Sequence, residues 1–269
     1  MLSGDPRQTV PDVPDLEPAL RARRDGGGRA FVPYVTGGLR NVDADLLRGL
    51  EEAGADAVEV GIPFSDPVMD GGVIQEASRL ALQGGTRPAD VLATVKEAGL
   101  SVPVAVMTYF NPVLRYGLGD FLADAAQAGV SGAIVPDLPV DEAEDWIRAC
   151  STASVAPVFL AAPGSTPERL ATIAASAGGF VYCVSTYGVT GERERLAGTA
   201  EEVVRALRPL TNLPLLVGVG IGTPAQASEA CAFADGVIVG SALVRRLVDG
   251  DPDGALAIAG EFRAAIGPA

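Results

Sequence analysis

The sequence predicts an α/β protein, a single (β/α)8 TIM barrel with a short extra helix ahead of its first strand. Three observations predict it. Short β-branched apolar runs alternate with amphipathic helical stretches, and the alternation recurs eight times without a break. Glycine-rich turns follow the last three apolar runs, where this architecture places its anion-binding loops. No linker divides the 269 residues, a length that one large α/β domain fills. An open doubly wound sheet is the rival. It requires a dinucleotide fingerprint after the first strand, and Gly37-Gly38 does not supply one.

The elements follow in order. Residues 1–15 are rich in Pro, Asp and Gly and read as a loose leader, so the barrel domain is expected over 16–269. Leu16–Arg24 has helical spacing and stops at Gly26-Gly27-Gly28. Strands are expected near 31–36, 56–62, 103–108 and 132–136, then near 156–161, 179–184, 213–218 and 235–239. Helical spacing marks Val42–Ala53, Asp120–Ala128, Asp141–Ala149, Pro167–Ala175 and Thr199–Leu207. Asp141 and Thr199 stand where a capping side chain is expected. Ala-Gly pairs at 53–54, 98–99, 128–129 and 177–178 put glycine where a helix turns left-handed at its end.

Composition removes several function classes. The net charge of −14 argues against nucleic-acid binding. No uncharged apolar run is long enough to cross a bilayer, and no secretory signal is evident. Cys150, Cys183 and Cys231 lie far apart, which fits a reducing, cytoplasmic setting better than a disulfide or metal framework. Histidine is absent, so imidazole acid–base catalysis, Ser-His-Asp triads and histidine metal ligands are excluded. The single lysine, Lys96, precedes Glu97 in a helical pattern and reads as solvated rather than as a Schiff-base amine. Chemistry here must rest on carboxylates, hydroxyls and backbone dipoles.

The run from Ala55 to Gly72 concentrates that chemistry. Val58, Val60 and Ile62 share one strand face; Ala57, Glu59 and Gly61 share the other. A lone carboxylate therefore sits between small residues near a strand end, followed by a loop bearing Asp66 and Asp70. Acids on a rigid strand beside acids on a loop suggest proton transfer. The bland alternatives are an arginine-paired buried glutamate and two loop-capping aspartates. Three carboxylates also fit Mg²⁺ or Ca²⁺, but Ser65-Asp66-Pro67 lacks a ligand spacing, so no metal is expected.

The glycine turns are Gly188-Val189-Thr190-Gly191, Gly218-Val219-Gly220-Ile221 and Gly240-Ser241-Ala242. Each alone reads equally well as a tight turn or as an anion-binding loop. Together, on neighbouring strand ends, they predict a phosphate site held by backbone amides and the Ser241 hydroxyl.

At this point the chain resembles the α chain of tryptophan synthase, over about residues 16–269. Glu59-Val60-Gly61-Ile62-Pro63-Phe64-Ser65-Asp66-Pro67 with Asp70-Gly71 is close to the family signature, as are Phe31–Thr36 and the three glycine turns. The resemblance implies retro-aldol cleavage of indole-3-glycerol phosphate to indole and glyceraldehyde 3-phosphate, within L-tryptophan biosynthesis. It implies Glu59 as the proton-transfer residue, Asp70 as acceptor of the indole N–H, and Tyr182 as a neighbour orienting Glu59. It assigns Gly191, Gly220, Gly240 and Ser241 to phosphate, and Tyr34, Tyr109, Leu160, Thr190 and Val219 to the substrate pocket. Asp137 matches a loop-anchoring acid. No cofactor is implied in this chain. Pyridoxal phosphate belongs to a β chain, with which an α2β2 assembly is implied.

Three positions depart from the family pattern. Thr186 stands where an arginine is usual, Val219 where an aromatic is frequent, and Gly72 where proline is common. The last two imply a wider indole slot and a freer second loop. Residues 1–15 match nothing in the family. The competing readings are a stand-alone lyase that releases indole, another phosphosugar barrel, and a non-catalytic scaffold. Epimerases of the second kind use metal and histidine, and indole-glycerol-phosphate synthase uses lysines, which this chain lacks at any suitable place. The presence of both Glu59 and Asp70 speaks against a scaffold.

Overall fold

A computed structural model of the chain describes residues 14–185 and 193–267. Helix α1 (Leu16–Asp25) leads into β1 (Ala30–Thr36), α2 (Ala44–Glu52) and β2 (Val58–Gly61). Two helices follow, α3 (Gly72–Gln83) and α4 (Pro88–Ala98), before β3 (Val104–Met107). Then come α5 (Phe110–Tyr116), α6 (Leu118–Gln127), β4 (Val130–Ile134), a 3-10 turn (Val140–Glu142), α7 (Glu144–Ala153) and β5 (Ala156–Ala161). The second half continues with α8 (Pro167–Ser176), β6 (Val181–Val184), α9 (Arg193–Leu207), β7 (Leu215–Gly218) and α10 (Pro224–Ala230). It ends with β8 (Gly236–Val239), α11 (Ser241–Val248) and α12 (Pro252–Ala265). The eight strands are parallel and close in sequence order, with β8 pairing back onto β1.

Closure separates two apolar layers. Alternate side chains point outward to the helices, as Phe31 of β1 does, stacking on Phe262 of α12 at 6.4 Å between centroids. The others point into the barrel, so residues in register across strands share its interior. Tyr34 lies opposite Glu59, Glu59 opposite Ala105, and Leu160 opposite Tyr182. Helix α1 closes the N-terminal end: Leu16 and Leu20 are fully buried, and Leu16 packs where a Cβ on Gly132 or Gly179 would stand.

Two carboxylates pin that end. Asp56, just before β2, accepts the Phe31 N–H and an Arg263 N–H, both at 2.8 Å. Asp235, just before β8, accepts the Leu215 N–H at 2.9 Å and pairs with Arg208 at 2.7 and 3.0 Å. Each acid holds its own strand to its predecessor, and ties it to an arginine, Arg263 in α12 or Arg208 just past α9.

Several local expectations are corrected. Asp141 does not cap a helix. It lies in the 3-10 turn and pairs with Arg169 of α8 at 2.6 Å, while α7 starts at Glu144 behind an uncapped Ala143. Thr199 is inside α9, which begins at Arg193, and its hydroxyl donates to the Ser185 carbonyl. After α8 the left-handed residue is Gly179 (φ 69°), not Gly178, whose N–H is needed by the Pro157 carbonyl at 2.8 Å. Gly72 is the first residue of α3 rather than part of the loop, so its freedom is absorbed by the helix. Lys96 is exposed in the last turn of α4. Among the described residues no helix is long and apolar enough to cross a membrane.

Candidate active site

Glu59 is the one acidic side chain among the described residues that is buried inside the barrel, at 1% exposure. Its β2 neighbours are small or outward-facing, so the carboxyl projects inward between Tyr34 and Ala105. The glycine two residues on makes room: a Cβ at Gly61 would collide with the Tyr34 hydroxyl. One carboxyl oxygen, Oε2, has no hydrogen-bond partner. Leaving a buried polar atom unpaired costs about 1–3 kcal/mol, so such an atom facing the barrel interior is suited to bond a substrate. Burial, and then the nearby Asp70 carboxylate, push the Glu59 pKa up to about 8.

Asp70 ends the loop after β2. Burial raises its pKa to about 6, against the nearby Tyr109 hydroxyl, which lowers it. Both carboxyls are thus pushed up, Glu59 further than Asp70 because it is the more deeply buried of the two. Carboxyl groups pushed apart in this way are the mark of distinct acid and base roles. Asp66 takes no part; it is exposed and accepts the Ser65 hydroxyl at 2.5 Å.

Tyr109 organises that loop. Its hydroxyl accepts the Met69 N–H at 3.0 Å and its ring lies 5.1 Å from that of Phe64. Gln75, in the first turn of α3, adds a bond to the Asp70 carbonyl at 2.9 Å. Asp137, after β4, accepts the Phe110 N–H at 2.9 Å and so steadies the chain that presents Tyr109. Tyr34 and Tyr182 are both buried, and both feel the Glu59 and Asp70 charges, which with burial raise their phenol pKa values. Tyr34 shares a 3.4 Å hydrogen bond with the fully buried Thr36. Tyr182 lies over Gly218, where a Cβ would meet its hydroxyl. Half-buried Leu160 adjoins it on β5.

The ends of β7 and β8 form the second half of the site. Val219 and Gly220 both have positive φ, 67° and 90°. A left-handed β-branched residue costs about 1–3 kcal/mol and collects at ligand sites. The Val219, Gly220 and Ile221 N–H groups have no acceptor among the described residues. On the neighbouring strand, Gly240 caps α11, whose first residue is the exposed Ser241. A Cβ on Gly240 would press on the Tyr34 ring at 3.1 Å, so this turn also abuts the acid pocket. Unpaired N–H groups at such turns suit an anion.

Glu59, Asp70, Tyr34, Tyr109, Leu160 and Tyr182 thus gather at the C-terminal end of the barrel interior, beside Val219, Gly220, Gly240 and Ser241. Thr190 and Gly191, with the rest of their glycine turn, lie outside the described residues. Val219 is 45% exposed at the rim rather than enclosed, because its backbone turns left-handed between two glycines. Sequence reasoning missed Thr36, Gln75 and Ser185. Only Thr36 carried a signal, an inward strand position two residues from Tyr34.

Comparison with known proteins identifies the family and the fold. The family model described as tryptophan synthase alpha chain matches residues 20–260. The tryptophan synthase alpha chain of Streptomyces coelicolor is 47% identical over 249 residues, covering 89% of this chain and 90% of that one. That of Mycobacterium tuberculosis is 43% identical over 254 residues, covering 93% and 94%. Among solved structures, Mycobacterium tuberculosis tryptophan synthase superposes with a TM-score of 0.85 at 42% identity, covering 93% of this chain and 97% of that chain. Tryptophan synthase subunit alpha of Legionella pneumophila gives 0.84 at 32% identity, covering 93% and 97%.

Proposed function

The chain belongs to the tryptophan synthase alpha chain family and acts as the alpha subunit, a lyase of tryptophan biosynthesis; on that premise we propose how its residues divide the reaction. The substrate is indole-3-glycerol phosphate. Glu59, protonated at neutral pH, delivers its proton to indole C3 and makes the ring an indoleninium cation. Asp70, ionised at the same pH, accepts the indole N–H and stabilises that cation. The glutamate then takes the proton of the glycerol hydroxyl next to the ring. As that hydroxyl becomes the aldehyde, the carbon–carbon bond breaks. Its electron pair returns to the ring, giving indole and glyceraldehyde 3-phosphate. Proton and electron balance close without an amine or a metal.

Tyr182 and Tyr34 wall the pocket and hold Glu59 in place. Gly220, Gly240 and Ser241 bind the phosphate through N–H groups and a hydroxyl. The observation that carries the reading is Glu59 itself: a buried carboxyl with one oxygen unpaired, beside a second acid that ionises more readily.

The partner is a β chain that holds pyridoxal phosphate and consumes the indole, in an α2β2 assembly in the cytoplasm. Exposed Val68 and Met69 on the Asp70 loop are the apolar side chains nearest to carry such contact. The stand-alone lyase draws no support from the relatives described above. Indole release from indole-3-glycerol phosphate, assayed with and without a β chain, tests the proposal. Turnover that rises with the β chain is expected, and no indole in either arm would refute it.

A further inference from the structure

Two non-glycine residues in the described chain have positive φ, Ser154 and Val219. Ser154 is the left-handed cap of α7, an ordinary place for a small polar residue. Val219 caps no helix, and burial does not hold it. A valine stays in this conformation only where neighbours hold it there.

Ser185 is the neighbour that does so. It directly follows β6 and is 4% exposed. Its N–H donates to the Gly218 carbonyl at 3.4 Å, which extends the β6–β7 ladder by one rung. Its hydroxyl donates to the Val219 carbonyl, and its own carbonyl accepts the Thr199 hydroxyl of α9. Ser185 is thereby tied from a helix on one side to the strained turn on the other. Its one proton, already committed to Val219, is not available to a substrate phosphate.

We propose that Ser185 is a positioning residue for the phosphate of the substrate. By fixing the Val219 carbonyl it keeps Val219 left-handed, and the N–H groups of Val219 and Gly220 are then left without a protein acceptor among the described residues, free to meet an anion. This rests on the phosphate role proposed for Gly220. Ser185 acts on binding alone, since it touches neither Glu59 nor Asp70 in any contact of the site.

The test is a two-by-two set, Ser185→Ala and Val219→Gly alone and combined, with Ser185→Thr as the conservative control. Ser185→Ala should raise KM for indole-3-glycerol phosphate about tenfold and weaken inhibition by inorganic phosphate in parallel, with kcat within about twofold. The pH limbs of kcat should not move, and Ser185→Thr should restore KM. Glycine adopts positive φ without help, so in the Val219→Gly background Ser185→Ala should have no effect on KM or on the melting temperature. An unchanged KM in Ser185→Ala, or an equal penalty in both backgrounds, overturns the inference. Failure of the phosphate role itself shows separately, as a Gly220→Asp variant whose KM and phosphate inhibition match the parent.

Discussion

The Tyr109 hydroxyl accepts the Met69 N–H at 3.0 Å and also lowers the pKa of Asp70 one residue on, so one phenol acts on both the backbone and the charge of the loop after β2. That influence opposes the burial that raises the Asp70 pKa to about 6. Tyr109→Phe should therefore lift the acidic limb of the kcat/KM profile by roughly one pH unit. The aromatic contact with Phe64 is kept in this variant, which isolates the hydroxyl. A pH–rate profile checks it; an unmoved limb would show that Asp70 does not depend on Tyr109.

The activity profile of the parent should be bell-shaped. It should rise as Asp70 ionises near pH 6 and fall as Glu59 loses its proton near pH 8, the two apparent values belonging to the coupled pair. Glu59→Gln should abolish indole formation and leave inhibition by inorganic phosphate close to normal. Asp70→Asn should lose most activity. Indole released by Glu59→Gln at the parent rate would refute the assignment.

Glu59 should also govern stability against pH. Its folded pKa of about 8 lies above the ordinary 4.5, so between these values the folded chain holds a proton that the unfolded chain has lost. Stability from this group is complete below pH 4.5 and is lost as pH rises to 8. The loss by pH 7 is on the order of 3 kcal/mol. Asp70 acts in the same sense between 3.8 and about 6. Urea titrations at several pH values should show the slope above pH 6 flatten in Glu59→Gln; an unchanged slope would mean that Glu59 ionises normally.

Gly220→Asp places a carboxylate beside the unpaired N–H groups of the β7 turn and strains a residue at φ 90°. It should raise KM for indole-3-glycerol phosphate by more than about tenfold, through anion repulsion and a lost cradle. Steady-state kinetics and phosphate inhibition measure it.

Gly61→Ala should collide with the Tyr34 hydroxyl and displace the ring that faces Glu59. Overpacking of this kind costs about 1–3 kcal/mol. Thermal melting of Gly61→Ala, with Tyr34→Ala as the relieving second change, checks it; additive penalties would contradict the contact.

The sequence by itself determined the architecture and the acids. Strand and helix periodicity are local properties, so the eight repeats from Phe31–Thr36 onward were readable, and each observed strand overlaps its expected range. The absence of histidine and the solvated Lys96 directed attention to Glu59 and Asp70. Tertiary structure decided what lies between distant segments. Asp141 and Thr199 have the chemistry of caps, yet Arg169 and the Ser185 carbonyl claim their side chains. Asp56 meets Arg263 across 207 residues, and Tyr109 meets the Asp70 loop across a separation of 40 at Met69. Those partners depend on how the barrel closes, and closure is a property of all eight strands together. The division of pKa values between Glu59 and Asp70 has the same origin, because burial and distance exist only once the chain is folded.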